Sequence, residues 1–215
     1  IEVVVARVLQ MGDPCGNIRR ALAHFPIKEV ADRVITKYFI SDEKAHNVRF
    51  KNISMFEMSP DKDLVDLVIC ANFAEVFLAK EGHRGMVGIN LLEKVQLPTM
   101  CALYGAMLAG VDCVFVGAGI PKQIPRILDD LSRHDCTSYR IDVEGAISGD
   151  DFRPCFDPQS FCGKKLPRLR RPMFFPIVSS PSIIERSFIK IPGAIQGFVH
   201  ENEKACGHIK LPRGE

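Results

Sequence analysis

Met86-Val87-Gly88-Ile89-Asn90 and Asp112-Cys113-Val114-Phe115-Val116-Gly117 decide the fold, together with the helical stretch Pro98 to Gly110 that lies between them. Both short runs are apolar and rich in Val, Ile and Phe, with little alternation, which is the pattern of a strand buried on both faces. Strand, helix and second strand of this kind make a parallel crossover unit. The unit recurs: Tyr139 to Val143, Met173 to Ser179 and Gln196 to Glu201 read as further strands, with helical patterns at Pro121 to His134 and Pro181 to Lys190. The class is therefore α/β with a parallel sheet. Periodicity alone leaves a barrel and a doubly wound sheet both open.

Before Met86 the apolar spacing is helical. Ile1 to Met11 suits strand or helix by pattern, and Gly12-Asp13-Pro14 makes a clean stop after it. Ile18, Ala21, Leu22 and Phe25, then Val30, Ala31, Val34, Ile35 and Tyr38, recur at helical spacing, and Pro26 divides them into a hairpin. Ser41 to Ser59 is a polar connection anchored by Phe50, Met55 and Phe56. Ser59-Pro60-Asp61 starts a helix with Ser59 as cap, and that helix runs to about Lys80 and ends at Gly82. Its apolar residues cover most of the circumference, so it is expected to be wedged between two layers.

A chain of 215 residues with 47% hydrophobic residues can bury one sizeable core. A net charge of +2 and a charged fraction of 25% call for no nucleic acid and no acidic partner as counter-charge. No apolar run is long enough to span a bilayer and no secretory leader is evident at residue 1, so the expectation is a soluble, cytoplasmic protein without a membrane partner. The eight cysteines form no Cys-x-x-Cys pair and are expected to be reduced, several of them as buried apolar residues. Asp150 to Pro172 interrupts the α/β alternation, and Lys164 to Arg171 puts five cations in eight residues. That run reads as a solvated loop or, more sharply, as a docking patch for an acidic carrier protein or a phosphate.

Chemistry concentrates near the C-terminus. Gly197 to Glu201 reads as a strand, Ala205-Cys206-Gly207 as small residues that admit a ligand to the backbone, and His208 as an imidazole presented just past them. Gly117-Ala118-Gly119-Ile120-Pro121 lies between a strand and a helix, where a turn can line a ligand site or simply be tight. Lys122 stands where a dinucleotide fingerprint has its third glycine, so that fingerprint is weak. Asn90 ends a strand with an amide able both to donate and to accept. His83 closes a helix, and His200 with Cys206 and His208 matches no common metal spacing, so no metal site is expected.

The segment Gly-Phe-Val-x-Glu (197–201), followed by Ala-x-Gly-His (205–208) and Pro212-Arg213-Gly214, resembles the flavin-site motif of the nitronate monooxygenase (2-nitropropane dioxygenase-like) family. Gly12-Asp13-Pro14, Ala71-Asn72-Phe73, Gly88 to Lys94, Leu103 to Asp112 and Gly117 to Pro121 are similar in order, most nearly to the branch of trans-acting enoyl reductases of polyunsaturated fatty acid and polyketide synthases. The resemblance implies a partial flavin (β/α)8 TIM barrel: 1–12 a barrel helix, 13–84 an inserted helical subdomain with its return helix, and 85–215 the middle barrel units with the basic loop at 150–172. The family's opening strand and closing strands are expected to lie outside this chain, so the piece is expected to self-associate or to bind a partner that completes it. The resemblance further implies an FMN-dependent oxidoreductase that reduces an enoyl thioester on an acyl carrier protein or synthase complex, with NADPH as reductant. Its alternatives are a nitronate monooxygenase and a truncated, non-catalytic piece acting in assembly or docking. By the same resemblance His208 is catalytic, and Asn90, Gly117, Glu201, Cys206 and Gly207 bind the cofactor. Cys206 departs from the family's usual glycine there, which puts tight flavin binding in question.

Overall fold

The computed structural model describes residues 1–41, 49–188, 191 and 195–202. In chain order the elements are helices α1 (Glu2–Gln10), α2 (Asn17–Leu22), α3 (Lys28–Tyr38) and α4 (Lys62–Ala79), then β1 (Gly88–Leu92), α5 (Thr99–Leu108), β2 (Cys113–Gly117) and α6 (Ile124–Arg133). They continue with β3 (Thr137–Ser138), β4 (Cys155–Phe156), α7 (Pro158–Cys162), β5 (Met173–Val178), α8 (Pro181–Ser187) and β6 (Val199–His200). Among the described residues no helix is long and apolar enough to cross a membrane.

The helical block follows its punctuation. The chain leaves α1 through Gly12 and Asp13, both at positive φ, and the buried Asp13 carboxylate accepts from the Ile18 and Arg19 amides at the start of α2. Pro26 lies between α2 and α3 as expected. The cap of α4 is Asp61 and not Ser59: the Asp61 carboxylate accepts from the Asp63 amide. Pro60 thus precedes the cap instead of opening the first turn. Leu67, Ile69, Cys70, Ala71 and Ala74 of α4 are fully buried although they point in different directions around the helix. The cause is its position between α1–α3 on one side and α5 on the other.

Helix α5 is buried from Thr99 to Met107, because α4 packs along it and α6 lies beside it within the same hydrophobic core. Gly105 permits this approach: a Cβ there would lie 3.0 Å from both Cα and carbonyl carbon of Ile69, and closer still to its oxygen.

The sheet has four parallel strands in the order β1-β2-β5-β6, which is the order of the chain. Right-handed crossovers between successive strands in such an order put their helices on one face. Burial agrees: Val114, Val116 and Phe174 are at most 1% exposed and join the helical core, whereas their neighbours Phe115, Phe175 and Ile177 on the other face are only half-buried.

Tyr139 to Val143 is not a strand of this sheet, contrary to its apolar pattern. The strand is Thr137–Ser138, paired antiparallel with Cys155–Phe156 in a separate ribbon. Backbone bonds from Tyr139 to Pro154 and from Ile141 to Phe152 extend that pairing. The segment 139–156 thereby doubles back on itself, and β5 takes the place beside β2. The two other expected strands shift or shrink: β1 starts two residues after Met86, and only Val199 and His200 of Gln196 to Glu201 are strand.

Candidate functional site at the carboxyl ends of the parallel strands

In parallel α/β sheets ligands meet the carboxyl ends of the strands, so that edge is the first place to look. Register puts Asn90 opposite Phe115, Phe115 opposite Phe175, and Leu92 opposite Gly117. Partners in a parallel ladder share a face, so Asn90 and Gly117 lie on the face that carries no helices. Val199 pairs with Ile177 on the same face. Glu201, two residues on, continues that side, and its amide bonds the Val178 carbonyl at 2.9 Å. Asn90, Gly117 and Glu201 are therefore on one face but at different levels: Asn90 is mid-strand in β1, not at its end as the sequence suggests, whereas Gly117 and Glu201 lie at the carboxyl ends of β2 and β6. They are not brought into contact: β1 and β6 are three strand spacings apart, about 14 Å, and Glu201 lies about 13 Å further along the strand direction than Asn90.

This face is filled by a small-against-large pattern. Phe115 and Phe175 stack with centroids 5.3 Å apart at 19°. The Phe115 ring covers Gly88, Ile177 covers Gly117, and Phe175 covers Gly197, each so closely that a Cβ on the glycine would press on the covering side chain. Gly117 is thus small because its neighbour leans over it. The Asn90 amide is exposed, has no hydrogen-bond partner among the described residues, and borders a cavity of about 260 Å³ at the outer edge of β1.

Sequence reasoning missed Glu93, the residue that shapes this edge. Its amide bonds the Gly117 carbonyl at 2.8 Å, and its carboxylate accepts from the Tyr139 hydroxyl at 3.0 Å and the Gln96 amide at 3.3 Å. A Cβ on Gly119 would lie 2.8 Å from Glu93 Cβ and closer still to its carboxylate, so Gly119 makes room for that side chain. Burial, and then the Glu93 charge, push the Tyr139 phenol well above its ordinary range. The turn Gly117-Ala118-Gly119 is tight around Glu93, with Ala118 at φ 59.

A second polar constellation lies at the opposite end, where α6 finishes and the strands begin. His134 ends α6 in a left-handed conformation. Its Nε2 meets the Pro167 carbonyl at 2.9 Å and its Nδ1 the Tyr104 hydroxyl at 2.9 Å. The Tyr104 oxygen also meets Cys162 Sγ at 3.0 Å. Burial pushes up the thiols of Cys70, Cys101 and Cys162, that of Cys101 to about 12, so they rest as protonated apolar groups. The seven described cysteines are all free.

The basic run divides by role. Arg170 reaches Asp112 at 3.0 Å and Arg171 reaches Asp129 at 2.6 Å, so these two hold the chain down before β5. Asp112 also accepts from Lys80 and from the Val87 amide, and these partners, Lys80 foremost, hold its carboxyl below the usual range. Lys164, Lys165 and Arg168 are exposed and form no ion pair among the described residues. As a docking patch the run is therefore reduced by its last two members.

Cys206, Gly207 and His208 lie outside the described residues. No family model, no curated protein and no solved structure matches this chain.

Proposed function

We propose that the chain forms part of an FMN-dependent oxidoreductase barrel that reduces an enoyl thioester held on an acyl carrier. The supporting observation is that Asn90, Gly117 and Glu201 share one face of parallel strands that follow chain order, with Gly117 and Glu201 at the carboxyl ends. Chain order without reversal is what a barrel segment needs, and a doubly wound sheet would reverse it.

The described residues fit the flat part of the cofactor. Asn90 offers an unpartnered amide to the edge of a ring, and the half-buried Phe115 and Phe175 provide an apolar floor on the same face. The Gly117–Gly119 turn does not offer a phosphate cradle, since Ile177 and Glu93 already fill the space at its glycines. When bound, FMN would supply the hydride chemistry for an enoyl β-carbon, and NADPH would be its reductant. In this reading Asn90 orients the ring, Glu201 borders it from the last strand, and His208 holds the proton for the α-carbon.

The test is an FMN titration followed by flavin fluorescence, for the chain and for Asn90→Ala, with enoyl-thioester turnover by NADPH in the chain and in His208→Ala. Micromolar binding weakened by Asn90→Ala, with turnover lost in His208→Ala, supports the reading. Oxygen uptake with an alkyl nitronate and no enoyl turnover transfers it to nitronate oxidation, and absence of FMN binding overturns it. Among the described residues the outer edge of β1 is unpaired and one face of the sheet carries no helix, which further supports self-association or a completing partner. A concentration-independent monomer in sedimentation would refute self-association.

A further inference from the structure

At the amino-terminal end of the sheet, remote from the edge just described, Arg133, His134, Pro158, Gln159, Cys162, Lys164, Lys165 and Leu166 enclose a cavity of about 450 Å³. Its lining holds three cations and no carboxylate. Arg133 is committed to Asp130 at 2.9 Å and Asp135 at 2.7 Å. Lys164 and Lys165 pair with no acid among the described residues, so their charge is uncompensated at the mouth.

The floor holds no carboxylate, and its polar groups are paired with one another. A carbonyl can only accept, so His134 donates through Nε2 to Pro167. Its Nδ1 shares a hydrogen bond with the Tyr104 hydroxyl at 2.9 Å, and that hydroxyl shares another with Cys162 Sγ at 3.0 Å. Every polar group of this chain is satisfied by its neighbour, and none adds a negative charge that would repel an anion. Tyr104, Phe156 and Phe161 pack edge-on behind it and keep the floor rigid.

We infer that this cavity binds a small organic phosphate, with the phosphate at Lys164 and Lys165 and its body against Pro158, Leu166 and the Cys162 floor. Volume favours a small molecule, since about 450 Å³ is within the range of ligand pockets. The inference does not depend on flavin chemistry, because the two sites occupy opposite ends of the sheet.

The probe is inorganic pyrophosphate, titrated calorimetrically into the full chain at low ionic strength. Saturable binding and at least a tenfold loss of affinity in Lys164→Gln/Lys165→Gln are expected. Lys28→Gln/Lys94→Gln removes the same charge elsewhere on the surface and should leave affinity within about twofold. No saturable heat, or an equal loss in the two double variants, overturns the inference. Binding of poly-glutamate without binding of pyrophosphate also overturns it, in favour of an acidic protein surface.

Discussion

Gly105→Ala is the sharpest test of how the helical block sits on the α/β part. In isolation the change favours the helix by about 1 kcal/mol, because alanine is the better helix former. The structure opposes it: the new Cβ would lie 3.0 Å from two backbone carbons of Ile69, against an ordinary carbon separation of about 3.5–4.0 Å. Backbone cannot rotate away as a side-chain tip can, so α4 and α5 must part by about 0.5–1 Å, which forfeits a quarter to a half of the dispersion energy across their contact. Overpacking costs about 3 kcal/mol at the upper end of its usual range. Less the propensity gain, a net loss of about 2 kcal/mol remains, or roughly 4–8 °C in Tm for a chain of this size. Urea unfolding followed by far-UV circular dichroism should show a midpoint lowered by about 1 M. Gly110→Ala is the control: it meets no neighbouring atom within 4 Å and suffers only from its φ of +75°, a cost of about 1–2 kcal/mol. A Gly105→Ala variant as stable as the parent chain, or more so, would refute the close approach of the two helices.

Acid should weaken the fold in part through Asp112, whose carboxyl is held below its ordinary range by Lys80, the Val87 amide and Arg170. A depressed folded-state value contributes stability that is whole above about pH 4 and is lost as pH falls through the folded value. Asp112→Asn should therefore lose about 3 kcal/mol at pH 7 and show a shallower loss from pH 4 downward, and an unchanged acid profile by denaturant midpoint would contradict this. Tyr104→Phe removes the hydroxyl between His134 and Cys162 and should lower stability by about 1–3 kcal/mol, measured by urea unfolding. Asp61→Ala removes the α4 cap and should lose about 1 kcal/mol, whereas Ser59→Ala should leave the denaturant midpoint unchanged.

What could be read without coordinates was what nearby residues decide together. The alternation of α5 and α6 with β1, β2 and β5 follows from apolar runs, and the α2–α3 hairpin follows from Pro26. The strand at Tyr139 to Val143 failed because its apolar residues serve a different purpose: Tyr139 is buried to carry a hydroxyl to Glu93, 46 residues earlier. Glu93 itself was invisible for the same reason, since its importance lies in Gly119 and Tyr139 closing around it. The Tyr104–His134–Cys162 chain joins residues 30 and 58 positions apart, and no spacing rule announces such a cluster. The basic run was visible as charge, but its division into anchoring Arg170 and Arg171 and unpaired Lys164 and Lys165 needed the positions of Asp112 and Asp129.

The helix-free face connects folding to the candidate site. Parallel sheets are stable when both faces are covered, yet among the described residues helices cover only the side of Val114, Val116 and Phe174. Phe115, Phe175, Ile177 and Val199 remain half-exposed on the other, beside the unpaired backbone of β1. Curling the sheet would bury these side chains against one another, which is how barrel strands cover an inner face. The same curl shortens the distance of about 14 Å between the strands of Asn90 and Glu201. Under the proposed barrel reading, whatever covers this face also bears on whether Asn90, Gly117 and Glu201 can meet a single ligand.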